Sequence, residues 1–390
     1  MAGEMNYPLF KVNIDGVSAL HNISKVLASG FVNEGEQVIE LESKLNKYFG
    51  TAHTVLVNSG TSAITLALRI AGVGPGDEVI STAMTCVASN TPIFNSGAKI
   101  VWADIDLSTG QISPDDILRK ITRKTKAILV VDWAGTPCDL VEISVIAKEF
   151  NVPVIQDAAH AFGAMINDES IVNYADFTCF SFQAIKHFTT GDGGALVCRD
   201  EKDFALAKKL KWFGFDRTQV KDAKGEWKGQ KWDADISPME VGYKFNMNNI
   251  DAAIGLANLG NVENVLARHR ANAEYYIKRF KRIKLIDLLE VKSNYKSSYW
   301  VYTLLTKLPE LQRDKLLASL NRIGIGAGLV HLPNNYYTAF KPFNTSLPNT
   351  EKFAASQISL PCGWWLSEGD CEYISDVFLD ELNKIENSDI

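Results

Sequence analysis

Short runs rich in β-branched residues alternate with helical patterns from about Thr54 to Phe213. The apolar runs are TVLV, EVIST, KIVWADID, KAILVVDW and PVIQDA, and the stretches between them include TSAITLALRIAG, SPDDILRKIT and LVEISVIAKEF. Apolar runs of this length that are separated by helices are typical of buried parallel strands joined by crossover connections. The alternation therefore predicts an α/β fold in which helices flank a mostly parallel sheet.

The pattern changes twice in the rest of the chain. The segment 213–242 is polar and holds four lysines, which is typical of a functional or mobile loop. Beyond Asn249 the pattern is helical to about Lys281, and a predicted strand (SSYWVYTLLT) and helix (RDKLLASLNRIG) follow. Because 390 residues exceed one small core, we predict a large domain over 1–255 and a smaller α/β domain over 256–390. The N-terminal segment is expected to pack with the smaller domain.

The charge balance excludes several classes of partner. The chain has 40 basic and 46 acidic residues and a net charge of -6, so it has no basic excess for nucleic acid or a membrane surface. No apolar run is long enough to span a bilayer, and residues 1–16 lack the apolar core of a signal peptide. The six cysteines are scattered without metal-ligand spacing. We predict free thiols, no metal site and a cytoplasmic protein.

Two strand ends carry polar residues that could bind a ligand, since ligands of parallel sheets collect there. After TVLV, Gly60 allows close approach to a ligand and the following helix offers free N–H groups, which suits a phosphate or a simple helix cap. After PVIQ, Asp157 needs a partner if it is buried. Asp157 could cap a helix, hold a metal or pair with a protonated ring nitrogen, and His160 could be catalytic or structural.

A third candidate site is the stretch DFTCFSFQAIKHFTTGDGGALV. Ser181 ends an apolar strand, Lys186 follows it, and the glycines of TTGDGG lead into a further strand. Most lysines are solvated, but an apolar frame around Lys186, formed by Phe180, Phe182, Ile185 and Phe188, would lower its pKa and leave a nucleophilic amine. A phosphate cup, an acid and a lysine are the parts that pyridoxal phosphate needs, so this cofactor fits the three sites best.

Several blocks, in order along nearly the whole chain, resemble the DegT/StrS family of sugar aminotransferases. The blocks are SGFVNEGEQVIELESKLNKYFG, NSGTSAITLAL, GVGPGDEVI, DAAHAFGA, SFQAIKHFTTGDGG, GYKFNMNNIDAAIGLANL, GIGAGLVHL and SLPNTEKFAASQISLP. The resemblance implies the aspartate-aminotransferase architecture, fold type I, with pyridoxal phosphate as cofactor. It also implies that Lys186 forms the Schiff base and shuttles the proton, that Asp157 pairs with the pyridine nitrogen, and that His160 contacts the ring hydroxyl.

The resemblance also implies how the cofactor phosphate is held. Gly60, Thr61 and Ser181 match the phosphate cup, and Asn246 matches a residue that reaches the cofactor phosphate of the neighbouring subunit. A homodimer with shared active sites is therefore expected. The chain departs from the family at Cys86, where an aromatic residue usually stacks on the cofactor ring.

The activity implied is transfer of an amino group from a donor amino acid, by family habit L-glutamate, to a nucleotide-linked keto-deoxysugar. The product would be an amino-sugar nucleotide for a surface polysaccharide or a related glycan. Arg217, in the polar segment, and His331 are candidate substrate residues by position. Two alternatives are a sugar dehydratase with the same cofactor, against which the retained Lys186 argues, and a non-catalytic regulatory protein.

Overall fold

A seven-stranded sheet forms the centre of the protein in a computed structural model that describes residues 6–215, 236–238 and 240–387. Its strand order is β1-β9-β8-β5-β4-β2-β3. The strands of the chain are β1 (Thr54–Val57), β2 (Glu78–Thr82), β3 (Lys99–Ala103), β4 (Thr125–Val131), β5 (Val154–Asp157), β6 (Met165–Ile166), β7 (Glu169–Ser170), β8 (Phe177–Ser181), β9 (Gly194–Cys198), β10 (Ile286–Leu288), β11 (Tyr295–Lys296), β12 (Tyr302–Thr306) and β13 (Gln357–Leu360).

The central sheet is parallel except at one strand. Strands β2, β3, β4, β5 and β8 pair in parallel, whereas β9 is antiparallel to both β8 and β1. A direct loop joins β8 to β9, so β9 returns in the opposite direction, while strands joined through helices keep one direction. The predicted α/β fold with a mostly parallel sheet flanked by helices is confirmed.

Helices cover both faces of this sheet because their apolar stripes need burial. On one side Val38, Leu41 and Leu45 are fully buried in a core with the strands, and on the other Ala63, Leu66 and Ala67 are fully buried. The α-helices are α1 (Gly16–Ser29), α2 (Glu36–Phe49), α3 (Gly60–Ile70), α4 (Val87–Asn95), α5 (Pro114–Lys120), α6 (Leu140–Glu149), α7 (Glu201–Leu210), α8 (Asn249–Leu259), α9 (Val262–Phe280), α10 (Glu310–Ile323), α11 (Pro348–Ser356) and α12 (Glu368–Asn387).

The C-terminal part of the chain builds a second, smaller core. Antiparallel strands β10, β12 and β13 form a three-stranded sheet, and helices α9, α10 and α12 bury Phe280, Leu316 and Phe378 beneath it. The backbone at Tyr7 contacts this part: the Tyr7 N–H donates to the Gly324 carbonyl (3.0 Å), and the Gly326 N–H donates to the Tyr7 carbonyl (2.8 Å). The proposed boundary at residue 255 remains a prediction.

One strand begins later than the sequence pattern indicates. The pattern predicts a strand throughout SSYWVYTLLT, but β12 begins at Tyr302. Tyr299 has a φ of 47°, in the left-handed region, so the backbone cannot continue an extended strand there. Residues 297–301 instead run as an irregular segment past the carboxyl ends of the central strands, against Ala134 and Gly135.

All six cysteines lie in the described ranges and are free, as predicted. Within the same ranges, no helix is long and apolar enough to cross a membrane. No group of three His, Cys, Asp or Glu side chains in this part of the protein is arranged to hold a metal ion.

Candidate active site

The predicted site residues meet at the carboxyl edge of the central sheet. Asp157 ends β5 and Ser181 ends β8, the neighbouring parallel strand. Helix α3 begins at Gly60, three residues after β1 ends. Because parallel strands present their carboxyl ends at one edge, residues far apart in the sequence reach one place.

Asp157 is buried and held by two hydrogen bonds. The Ser89 hydroxyl donates to Asp157 Oδ2 (2.6 Å), and the Ala159 N–H donates to Oδ1 (3.1 Å). Burial raises the pKa of the Asp157 carboxyl above its ordinary value, while these hydrogen bonds and the charge of Lys186 oppose the rise. The residues after Asp157 form turns, so Asp157 does not cap a helix. Its carboxylate is fixed in place and could pair with a cationic ligand atom.

Lys186 lies in the loop between β8 and β9, with its amine over an aromatic ring. The loop is folded back by the Lys186 N–H, which donates to the Gln183 carbonyl (2.9 Å). Lys186 Nζ is 3.7 Å from the centroid of the Trp300 ring. Burial lowers the pKa of Lys186 to about 8, and the charge of Asp157 opposes this fall. The amine is therefore partly unprotonated near neutral pH, as a nucleophile requires.

The apolar surroundings of the Lys186 amine differ from the predicted frame of neighbouring phenylalanines. Phe182 and Phe188 pack edge to face (4.8 Å) and both contact Phe162 in the core beneath the sheet. The ring over the amine is that of Trp300, which comes from the irregular segment 297–301. In a loop that folds back on a sheet, side chains close to the lysine in sequence need not face it. Closeness in the sequence therefore does not show which side chains surround the amine.

His160 stacks on the same indole. Its ring centroid lies 3.9 Å from that of Trp300, with the planes at 16°. Burial and the nearby positive charge of Lys186 hold the pKa of His160 well below its ordinary value, so the imidazole is neutral. His160 Nδ1 is buried and has no hydrogen-bond partner within the described residues. A buried polar atom of this kind is normally satisfied, so a ligand atom is an apt partner.

The residues predicted for the phosphate cup are brought together. A Cβ added at Gly60 would lie 2.9 Å from Ser181 Cβ, so the start of α3 and the end of β8 are in close contact. Ser59 caps α3 by accepting from the Ser62 N–H (3.0 Å). The first N–H groups of a helix have no intrahelical partner, so those at Gly60 and Thr61 are available to an anion. The Thr61 side chain is exposed beside them.

Asn246 lies near this cup in its own chain. It forms a bridge with Val57 at the end of β1, and its Nδ2 donates to Asn33 Oδ1 (3.1 Å). Its Oδ1 accepts a hydrogen bond from Lys244. The reach of Asn246 into a neighbouring subunit remains a prediction.

Of the three remaining predicted site residues, two lie at or near the site. Cys86 immediately precedes α4, is half-buried and interacts electrostatically with Lys186, so it lies at the site. The His331 ring centroid is 5.7 Å from that of His160, and burial lowers the pKa of His331 to about 4. Arg217 lies outside the described residues.

Two residues of the site do not emerge from the sequence pattern. Ser89, which holds Asp157, sits one helical turn beyond Cys86, and its role depends on a contact 68 positions away. Trp300 falls in a stretch that the pattern assigns to a strand, and its contacts are with Lys186 and His160, which lie far away in the sequence.

These residues fit pyridoxal phosphate. Asp157 is a buried acid for the ring nitrogen, the unpartnered His160 Nδ1 can bond a ring oxygen, and Lys186 is a nucleophilic amine. Gly60 lies close to Ser181, and the first N–H groups of α3 are free for a phosphate because they have no intrahelical partner. Each part that the cofactor needs has a candidate at the same sheet edge.

Known proteins with similar sequences and structures are sugar aminotransferases. UDP-4-amino-4,6-dideoxy-N-acetyl-beta-L-altrosamine transaminase of Campylobacter jejuni is 30% identical over 380 residues, 96% of each chain. The sugar aminotransferase CalS13 of Micromonospora echinospora is 30% identical, with a TM-score of 0.87 over 96% of this chain and 99% of that one. The PLP form of Spr1654 from Streptococcus pneumoniae is 30% identical, with a TM-score of 0.86 over 97% and 99% of the two chains.

A family model covers almost the entire sequence. It matches residues 14–378, from the start of the first helical region to the last helix. Aminotransferases of this family depend on pyridoxal phosphate, in agreement with the site. The chain therefore belongs to the DegT/DnrJ/EryC1/StrS aminotransferase family.

Proposed function

We propose that this sugar aminotransferase moves the amino group of L-glutamate to a ketone of a nucleotide-linked deoxysugar in the cytoplasm. The observation that carries the proposal is the meeting of Lys186, Asp157 and His160 at one sheet edge, with Lys186 and His160 both against Trp300. The name of the Campylobacter relative, a transaminase of a UDP-linked amino sugar, supports a nucleotide sugar as acceptor. The amino-sugar product would serve a surface polysaccharide or a related glycan.

The side chains would divide the chemistry between them. Pyridoxal phosphate supplies an aldehyde carbon that carries the amino group and a ring that accepts the electron pair of a broken C–H bond. Lys186 would hold the cofactor through its amine and would take and release a proton at Nζ. Asp157, fixed by Ser89, would balance the charge on the ring nitrogen. Neutral His160 would bond a ring oxygen through Nδ1.

Isotope transfer tests the proposed reaction directly. The purified protein, pyridoxal phosphate and 15N-labelled L-glutamate are incubated with a panel of keto-sugar nucleotides, and the products are analysed by mass spectrometry. We expect one 15N atom in an amino-sugar nucleotide and an equal amount of 2-oxoglutarate. Loss of oxygen from the sugar without nitrogen gain would instead indicate a dehydratase. Absence of both products with every sugar of the panel would contradict the proposal.

His331 and Arg217 are proposed as contacts of the substrate because of where they lie. His331 is half-buried next to His160, and its Nε2 has no hydrogen-bond partner within the described part of the chain, which supports a substrate contact. Arg217 is proposed from its place in the polar segment. We expect both contacts to affect KM for the sugar nucleotide more than KM for glutamate.

A homodimer with shared active sites is part of the proposal. Helices α1 and α2 expose large apolar side chains, with Val17 84% exposed, Leu20 70% and Ile39 66%. Large apolar side chains exposed on neighbouring turns of a helix, as Val17 and Leu20 are, are typical of an interface between proteins. Sedimentation velocity should give a dimer, and Asn246→Ala should weaken cofactor binding in that dimer. A fully active monomer would remove Asn246 from the site.

Enlarging Gly60 should damage the phosphate cup. In Gly60→Ala protein the new Cβ would lie 2.9 Å from Ser181 Cβ and 3.2 Å from Ser181 Cα, so the start of α3 must shift. We expect the affinity for pyridoxal phosphate to fall about tenfold, the effect of about 1.4 kcal/mol of lost phosphate contact, in a spectrophotometric titration. Gly74→Ala is the control, since a Cβ there meets nothing within 4 Å. Equal affinities of the two variants would argue against this cup.

Restoring an aromatic ring at position 86 should strengthen cofactor binding. Cys86 lies at the site but has no π face. Stacking of aromatic rings contributes about 0.5–1.5 kcal/mol, so Cys86→Tyr should raise the affinity for pyridoxal phosphate roughly two- to tenfold. Cys86→Leu provides bulk without a π face and should not. A gain in the leucine variant alone would show that packing, rather than stacking, matters there.

A further inference from the structure

Trp300 contacts both Lys186 and His160 but has no role in the chemistry described above. The indole is 3% exposed. Besides Lys186 Nζ and the His160 ring, it stacks on Phe10 with a centroid distance of 4.5 Å. Its Nε1–H donates to the Ile185 carbonyl (2.9 Å), which belongs to the residue before the lysine. The indole is thus tied to the main chain and the side chain of the same loop.

The backbone around Trp300 is held in an unusual conformation. Tyr299 and Ala134 have φ values of 47° and 56°, which L residues rarely adopt. The Trp300 N–H donates to the Ala134 carbonyl (2.8 Å) and the Ser298 N–H to the Gly135 carbonyl (2.8 Å). A Cβ at Gly135 would lie 2.9 Å from the Trp300 nitrogen, so the two segments touch. Strained conformations of this kind persist where the surroundings fix them and cluster at functional sites.

Few charged groups near Lys186 stabilise its ammonium form, so the Trp300 ring is an important partner for that form. Asp157 and Cys86 are the groups whose electrostatic interaction favours the ammonium, and Asp157 is also the acid proposed for the cofactor ring. The basic groups that feel the charge of Lys186 are His160, His187 and His331, and burial keeps all three neutral. The negative face of an indole attracts a cation within about 6 Å, and a desolvated site strengthens the attraction.

We propose that the Trp300 ring is the docking position of the Lys186 ammonium during turnover. The proposal rests on the proposed function. With the cofactor and the donor bound, the free amine of Lys186 would take the proton of the donor carbon. The C–H bond breaks, its electron pair stays on the carbon side, and a new N–H bond forms at Nζ. Trp300 then holds the ammonium until its proton passes to the next carbon. Trp300 is thus a positioning residue.

The sign of the expected effect follows from the ring quadrupole. The indole stabilises the charged amine, so it raises the pKa of Lys186, whereas burial lowers it. Weakening the ring while keeping its size should therefore lower the pKa further. An attraction of the size usual for such pairs corresponds to a fall of roughly half a unit to one and a half units.

Fluorinated tryptophans at position 300 test the proposal without a change of shape. Mono-, di- and trifluorotryptophan weaken the ring face stepwise and keep the Nε1–H that bonds Ile185. The pH dependence of Lys186 acetylation in the cofactor-free full-length protein, followed by peptide mass spectrometry, gives the pKa of the amine. We expect a stepwise fall with each fluorine. The same series at Trp133, a ring that contacts His160 and His331, is the control and should leave the pKa unchanged.

Catalysis provides a second readout with the cofactor-loaded enzyme. Fluorination at position 300 should lower kcat and increase the isotope effect with deuterated donor carbon, while KM changes little. A Lys186 pKa that is constant across the position-300 series would overturn the proposal, as would equal shifts in the position-133 series. Acetylation requires no amino transfer, so failure of the docking proposal and failure of the proposed function give different results.

Discussion

Lys186→Ala protein is expected to lose at least about 10³-fold in kcat for amino transfer, because proton transfer by a positioned base and covalent capture are both removed. Lys186 Nζ lies 3.7 Å from the Trp300 ring centroid, and burial lowers its pKa to about 8. Lys211 is also buried, but although burial lowers its pKa, the charges of Glu42 and Glu34 outweigh this and raise it. Single-turnover measurement with glutamate and the cofactor detects the loss.

Small external amines provide the control for this variant. An alanine at position 186 leaves space beside Trp300, so methylamine should restore a part of the rate in proportion to its concentration. Cofactor binding, measured by equilibrium dialysis, should persist through Asp157 and the phosphate cup. Retained turnover without added amine would contradict the assignment of Lys186. If circular dichroism shows that the Lys186→Ala protein is unfolded, Lys186→Arg takes its place in the test. The arginine variant should remain folded but lose the rate of amino transfer.

Asp157→Asn is expected to lower kcat by on the order of 10²- to 10³-fold, the effect of removing one preorganised electrostatic partner. The amide keeps the size of the side chain but cannot balance a positive charge on the ring nitrogen. The Ser89 hydroxyl, 2.6 Å from Oδ2, can still bond the amide. The expected result is loss of rate with little change in thermal stability, followed by steady-state kinetics and thermal unfolding.

Asp132→Asn is the matched control. Asp132 follows β4, next to β5, is fully buried, and accepts from Gln156 Nε2 (2.6 Å) and the Cys138 N–H (2.9 Å). Burial raises the pKa of Asp132 to about 7, so it carries less charge than an ordinary carboxylate near neutral pH. We expect Asp132→Asn to retain most activity. Equal losses in the two variants would indicate a general effect on the sheet edge.

The sequence pattern was sufficient to predict the central sheet and to identify polar residues at the ends of its strands. Apolar runs such as VPVIQ identify buried strands, and the residue that follows each run must lie at the carboxyl edge. Asp157, Ser181 and Gly60 could therefore be placed at one edge from the strand pattern alone. Lys186 required the resemblance to a family as well, because a lysine near phenylalanines is not diagnostic alone.

The remaining features depend on contacts between distant positions. Trp300 reaches Lys186 because Tyr299 turns the chain into the left-handed region, and neither hydrophobic periodicity nor propensity indicates that turn. Ser89 bonds Asp157 only because the first turn of α4 lies at the end of β5. The phenylalanines near Lys186 pack downward into the core, since the loop folds back on β8. Tertiary packing determines these orientations, so a local window of the sequence cannot predict them.

The visible absorption spectrum of the purified protein, recorded before and after addition of L-glutamate, tests the central claim most directly. Pyridoxal phosphate joined to Lys186 should give a yellow band, and glutamate should bleach it as an equal amount of 2-oxoglutarate forms. Lys186→Ala protein should lack both the band and the bleaching. A wild-type protein that shows no band after incubation with pyridoxal phosphate, or a band that glutamate and other amino acids leave unchanged, would contradict the account.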